Sequence, residues 1–317
     1  MKNVYCIGEM LIDFVAERQG KDLTQAYQFT RKAGGAPANV AAAISKLGGQ
    51  SYFVGAVGED PFGTFLIEVM KKHKVSVEYV QQISTFTTLA FVSLAEDGER
   101  DFVFSRGADR ELSYDENLSS QFNNEILHFG AATALLGGSL QKAYTRYLED
   151  AISRNAFISF DPNYRTDLWK DRDAEFIALC KPFISKCHLA KFSLEEAFLL
   201  SGKTTLPEAC TVLHNLGAKA ICITLGKEGT YVSTKSYQTT VGSISVTPLD
   251  TTGAGDAFIG CLLKQLSLQE IPESVIEDES LFLKMVKRAN ICGAITTTNY
   301  GAIAALPDEM QLNSLAL

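Results

Sequence analysis

The stretch DTTGAGDAF, residues 250–258, sets bare backbone beside a carboxylate at the start of an apolar run. Gly253, Ala254 and Gly255 carry no bulky side chain, so a ligand can approach their N–H groups closely. The apolar spacing of the following AFIGCLLKQL predicts that a helix begins here. Free amides at a helix N-terminus, together with the helix dipole, favour an anion such as a phosphate. Asp256 does not belong to an anion site, because a carboxylate repels phosphate. It suits a different task, accepting the proton of a hydroxyl that attacks the phosphate. A tight turn with Asp256 as helix cap accounts for the same residues, and residue types alone leave the two readings level. The stretch has neither the Walker Lys-Ser/Thr pair nor a G-x-G-x-x-G dinucleotide loop. Phosphate charge would then be met by a metal and by residues from elsewhere in the chain.

A second small-residue turn, GGAPANVA at residues 34–41, also runs into a helical pattern. It has no Lys or Arg, so it suits a neutral polyol better than a phosphate. Gly34 and Gly35 admit close backbone approach, and Asn39 can both donate and accept hydrogen bonds. A turn closed by an Asn cap explains these residues equally well.

Together the two stretches resemble the PfkB (ribokinase-like) carbohydrate kinases, the first matching the family's C-terminal motif and the second its N-terminal Gly-Gly motif. GEMLIDF, GGAPANVAAAISKLGG, VGEDPFG, DGERDFVFSR, DPNYR and TTGAGDAF follow in the expected order and look most like the fructokinase branch. The resemblance covers essentially the whole chain. It implies transfer of the ATP γ-phosphoryl group to a sugar hydroxymethyl, with D-fructose as the first choice of acceptor. A 2-keto-3-deoxygluconate kinase and an aminoimidazole riboside kinase are the rivals of the same chemistry. A sugar-binding regulator without catalysis is the rival of another class, and the presence of Asp256 speaks against it.

The resemblance also assigns residues. Asp256 matches the catalytic base, and Gly253, Ala254 and Gly255 match the anion hole. Asp13, Gly34, Gly35 and Asn39 match sugar ligands, with Arg106 reaching the substrate from the hairpin. Arg165, in DPNYR, matches a cation near the substrate or the transferring phosphate, where its fork suits paired oxygens. Lys191, Ser193, Thr224, Gly226, Gly229 and Asn290 match positions around ATP. Glu196 matches the acidic residue that organises Mg2+ through water, although KFSLEE also reads as a capping box. Ser193 stands where the family often has Asn. Asp250, Thr252 and Gly301, with carbonyls of residues 297–301, occupy the place of a monovalent cation site, so K+ is a further expected cofactor.

These residues need a frame that brings distant segments to one edge. Short apolar segments such as SYFVGAVG, EILHFGA, AFISFDP, CHLAKFS and KAICITLG alternate with helical patterns. The expected fold is α/β, a doubly wound, mainly parallel sheet flanked by helices, with ligands beyond the strands' carboxyl ends. VYCIGEMLIDF reads as one buried strand. Residues 88–108 break the alternation and read as a β-hairpin turning at Asp97-Gly98. A helix-free segment after the first strand can pair with it into a small separate sheet, either a flap over the active face or a peripheral sheet with no role in closure. The resemblance implies the flap, a small β-sheet lid from insertions at residues about 14–33 and 87–107 of a single domain spanning 1–317.

The bulk numbers agree with a small-molecule enzyme. The chain has 317 residues, 46% hydrophobic and 21% charged, which is ordinary globular composition. Its net charge of −8 and the lack of a basic cluster exclude nucleic acid as the expected partner. No apolar run is long enough for a membrane span. Seven scattered cysteines without a C-x-x-C pair suggest reduced thiols and a cytoplasmic home. The four histidines lack ligand spacing. Exposed lid strands would make a homodimer plausible.

Overall fold

A computed structural model describes residues 1–17, 20, 22–94 and 100–315. Its strands in chain order are β1 (Asn3–Ile7), β2 (Leu11–Ala16), β3 (Phe29–Gly34), β4 (Gln50–Gly58), β5 (Val80–Ile83), β6 (Leu89–Leu94) and β7 (Arg100–Ser105). They continue with β8 (Ile126–Phe129), β9 (Phe157–Phe160), β10 (Leu189–Ser193), β11 (Ala220–Thr224), β12 (Thr230–Thr234) and β13 (Gln238–Val241). Nine of them form one sheet in the order β13-β12-β11-β10-β9-β8-β1-β4-β5. The ladders from β5 to β11 are parallel, and β12 and β13 close one edge as antiparallel strands.

The central strands are buried on both faces, which is why they read as continuous apolar runs instead of alternating ones. One core lies against the helices Ala36–Lys46, Ala254–Ser267 and Glu279–Thr296. The other lies on the opposite face against Gly138–Ser153 and Asp173–Lys186. All seven cysteines are buried in these layers and none is bonded to another. No helix among the described residues is long and apolar enough to cross a membrane.

The remaining strands form a second sheet in the order β3-β2-β6-β7, with β2 and β6 parallel and the two outer ladders antiparallel. VYCIGEMLIDF is therefore two strands and not one. The chain leaves the large sheet after Ile7, turns through residues 8–10 and enters the small sheet at Leu11. Apolar residues on both sides of that turn disguise the break. β6 and β7 pair as the expected hairpin arms, while the Asp97-Gly98 turn lies outside the described residues.

The order of the large sheet reverses beside β1, whose neighbours β8 and β4 lie on opposite sides. Residues that follow β1, β8, β9, β10 and β11 thus emerge along one carboxyl edge. Such a switch point is where open α/β sheets form their binding crevice.

Candidate active site

The helix Ala254–Ser267 begins at Gly253, which adopts φ 78° and takes no side-chain cap. A Cβ on Gly253 would stand 2.5 Å from Ala302 Cβ, so only glycine lets the two segments meet. The Ala254 N–H turns back to the Thr251 carbonyl at 3.3 Å. The next amides, those of Gly255 and Asp256, lie in the first turn, where a helix supplies no acceptor.

Asp256 does not serve as the helix cap. It is 9% exposed, and its Oδ2 accepts a 2.8 Å hydrogen bond from Asn39 Nδ2. The two small-residue stretches, 217 residues apart, therefore meet side chain to side chain. Burial raises the Asp256 carboxyl above the ordinary Asp value, and the Asn39 bond and the Lys191 charge draw it back only in part. Asn39 Oδ1 is buried without a protein partner, so the amide keeps one acceptor for something else.

Asn39 lies in the first turn of the helix Ala36–Lys46, which starts at Gly35. Gly34 ends β3 directly beside Asp13, the carboxylate of β2. A Cβ on Gly34 would stand 2.0 Å from Asp13 Oδ2. Glycine here clears room for the carboxylate, which lines a cavity of about 620 Å³ together with Lys32, Asp250, Thr252 and Gly301. Glu9, in the turn between β1 and β2, is buried and takes the Ala132 N–H at 3.2 Å.

A second cavity of about 560 Å³ lies on the other side of Pro248 and Thr251, which line both. Its walls include Thr224, Gly226, Gly229, Ala254, Gly255 and Asn290. Asn290 has a structural task there: Thr230 Oγ1 donates to its Oδ1 at 2.6 Å, and its Nδ2 donates to the Val241 carbonyl at 2.7 Å. Gly293 and Ala294 next to it keep the wall low.

The floor between Asp256 and the strand ends is charged. Lys191 Nζ lies 2.9 Å from Asp161 Oδ2, and both residues are buried. The same Nζ stands 3.1 Å from the point where a Cβ on Gly255 would sit. Burial pulls Lys191 down, but the Asp161, Glu196 and Asp256 carboxylates outweigh it and hold the ammonium above its ordinary value. Glu196 is raised by burial first and by Asp161 second. It completes the expected capping box, with Ser193 Oγ accepting the Glu196 N–H at 3.1 Å and Glu196 Oε2 accepting the Ser193 N–H at 2.7 Å. Glu196 Oε1 accepts the Tyr164 N–H at 2.7 Å. Arg165 is not paired with Asp161, which belongs to Lys191. Its Nη1 donates to the Tyr164 carbonyl at 3.0 Å, and its charge reaches Asp256.

Asp250 joins the two loops at the cavity boundary. Its Oδ1 accepts from Thr252 N and Oγ1 at 2.9 and 2.6 Å, and its Oδ2 accepts the Gly301 N–H at 2.9 Å. Arg106 stands apart from this floor, with Nε and Nη2 both on Asp109 Oδ2. Sequence reasoning did not single out Asp161, Glu9 or Asp109, the buried carboxyls that hold Lys191, the Ala132 N–H and Arg106. For Asp161 the one available signal was an acidic residue directly after a mostly apolar strand, FISFD.

The pfkB family carbohydrate kinase model matches residues 1–309. This chain belongs to that family. The kinase is 39% identical over 317 residues to a probable fructokinase-4 of Arabidopsis thaliana, covering 98% of this chain and 96% of the relative. Among solved structures it is similar to a fructokinase from Xylella fastidiosa with bound ATP, with TM-score 0.87 and 28% identity over 99% of this chain and 97% of that one. A double mutant of a Vibrio cholerae fructokinase, bound to fructose, ADP and potassium ion, gives TM-score 0.86 and 30% identity over 100% and 99%. The ribokinase-like fold read from the sequence is thus the fold of the kinase, including its separate small sheet.

Proposed function

We propose that the kinase phosphorylates D-fructose at a hydroxymethyl group with ATP, giving fructose 6-phosphate and ADP. The observation that carries this reading is the 2.8 Å bond from Asn39 to Asp256. It brings Asn39 of the polyol-type motif to Asp256, close to the segment at Pro248 and Thr251 where the two cavities meet, and so supports the reading. Asp13, Gly34, Gly35 and Asn39 hold the sugar, and the 560 Å³ cavity takes the nucleotide. Asp256 accepts the hydroxyl proton as the sugar oxygen forms its bond to the γ-phosphorus and the bond to ADP breaks. The amides of the helix start, Lys191 and Arg165 face the charge on the group in flight.

The family chemistry calls for ATP and a cation. Among the described residues no three His, Cys, Asp or Glu side chains group to hold a metal directly. The donor set still fits Mg2+ that keeps its waters, because Glu196 and Asp161 lie at the phosphate end as anionic acceptors. Bound there, Mg2+ would neutralise phosphate charge. Asp250, Thr252 and the carbonyls of residues 297–301 offer oxygens only, a set suited to K+. We read the small sheet as a lid that closes over the sugar within one kinase domain. Its edge strands β3 and β7 have no further ladder partner among the described residues, which favours a homodimer through the lid. Sedimentation of the purified chain as a monomer would remove that last point.

Asp256→Asn tests the central assignment. Turnover of fructose with ATP should fall about 10²–10⁴-fold, the range for loss of a general base, while calorimetry still detects ATP and fructose binding. Undiminished turnover would remove Asp256 from the mechanism.

A further inference from the structure

The small-sheet face that looks onto the 620 Å³ cavity can be followed by register. Residues directly opposite in a ladder point to the same side, as do residues two apart on one strand. Asp13 pairs with Lys32 and with Ala90, and Ala90 pairs with Phe104. Asp13, Lys32, Val92 and Phe102 all line the cavity, so this is the inward face. Arg106 lies two residues beyond Phe104, just past the end of β7, where Ser105 pairs with Leu89 and the Gly107 N–H reaches Thr88 Oγ1; the strand alternation carries it toward that face. Lys32, which lines the cavity on that face, lies over the Tyr300 ring with Nζ 5.9 Å from the centroid.

Arg106 is not a bare cation. Its Nε and Nη2 donate to Asp109 Oδ2 at 3.1 and 2.8 Å. The Asp109 side chain is completely buried, whereas that of Arg106 is 17% exposed. Asp109 Oδ1 accepts the Thr88 hydroxyl, and Thr88 Oγ1 accepts the N–H groups of Gly107 at 2.9 Å and Asp109 at 3.4 Å. The counter-charge is thus held by Arg106 on one oxygen and by Thr88 on the other, and Thr88 is itself held by two backbone N–H groups. A buried ion pair of this kind is a poor source of stability, since apolar residues of similar volume usually serve as well. Its effect is on charge beside the inward face of the small sheet, whose residues Asp13, Lys32 and Phe102 wall the 620 Å³ cavity. Glu9 adds a second buried carboxyl nearby, pushed up to about 7 by burial first and also by the Asp109 charge.

We propose that Asp109 is a specificity-determining residue. By pairing with Arg106 it makes this end of the acceptor site electrically neutral, so the site takes an uncharged sugar and discriminates against sugar acids. An incoming carboxylate would have to share the Arg106 fork with a carboxylate that cannot move away, and like charges at an interface oppose binding. This inference rests on the fructokinase reading above.

The test compares kcat/KM for fructose and for a sugar acid, 2-keto-3-deoxygluconate, in the parent chain and in Asp109→Asn. The acid-to-fructose ratio should rise at least about tenfold in the variant, and Arg106→Leu added to it should cancel the rise, since the gain is held by a single charge. An unchanged ratio overturns the proposal. Should Asp109→Asn fail to fold, inhibition of the parent chain decides the matter. D-gluconate should inhibit fructose phosphorylation at least about tenfold more weakly than the uncharged D-glucitol. Equal or stronger inhibition by gluconate overturns the proposal. Failure of the parent chain to use fructose at all sinks the fructokinase reading. The comparison of gluconate with glucitol as displacers of any accepted sugar still reports on the neutral pocket.

Discussion

At the scale of single residues, Asp256 carries two opposed demands. As the proposed base it needs its carboxylate ionised, and burial makes ionisation costly. Because its folded-state value is raised, the folded protein holds this proton more tightly than the unfolded chain does. The group's contribution to stability is full below the ordinary Asp value of about 3.9 and is lost as pH rises through the raised value. Asp256→Asn escapes that loss. The inactive variant should therefore melt higher than the parent at pH 7, and the gap should close toward about pH 4. Calorimetric scans across this pH range check the sign, and a variant that melts lower at neutral pH would contradict it. Residue types alone presented Asp256 as base or cap, and only the resemblance to the kinase family favoured the base. The decisive bond comes from Asn39, and a side-chain contact across 217 residues leaves no local pattern. Asp161 escaped for a related reason: its partner Lys191 comes from the next strand of the sheet, and that pairing leaves no local pattern either.

Elements were easier to read than side-chain partners. Helical spacing and Pro37 in the first turn located the helix Ala36–Lys46, and the apolar run after Asp256 located Ala254–Ser267. The split between β1 and β2 was not legible, because both strands are apolar where they approach the turn and hydrophobicity does not say which sheet a strand joins. The crossing of the two helices was not legible either, yet the site depends on it. Gly260 lies one turn beyond Asp256, and Ala43 one turn beyond Asn39. A Cβ on Gly260 would stand 2.6 Å from Ala43 Cβ and 3.1 Å from the Val40 carbonyl. Glycine at 260 therefore sets the spacing that lets Asn39 reach Asp256. Gly260→Val should cost about 1–3 kcal/mol of stability by overpacking. It should also lower kcat at least about tenfold, since a displaced base loses about 1.4 kcal/mol of barrier reduction for each such factor. Chemical denaturation and steady-state rates measured together separate the two effects. A destabilised variant with parental kcat would show that helix spacing does not position the base.

For the whole molecule, the two sheets divide the labour. The large sheet sets the charged floor at its carboxyl edge, where the parallel strands β9, β10 and β11 run side by side toward Asp161, Lys191 and Thr224. The small sheet contributes Asp13 and walls one side of the 620 Å³ cavity, reached from the large sheet only through the short turn at residues 8–10 and the segments flanking β3, β6 and β7. Few connections and a shared cavity are what a closing lid requires, and closure would keep water from the γ-phosphate. Hydrogen exchange distinguishes closure from a static wall. Fructose with a non-hydrolysable ATP analogue should slow exchange in β2, β3, β6 and β7 well beyond the effect of the analogue alone, while the interior strands β8 and β9 stay as they were. Protection that appears equally with nucleotide alone would mean the small sheet does not respond to the sugar. The sugar would then meet a preformed pocket, and exclusion of water would rest on the large domain.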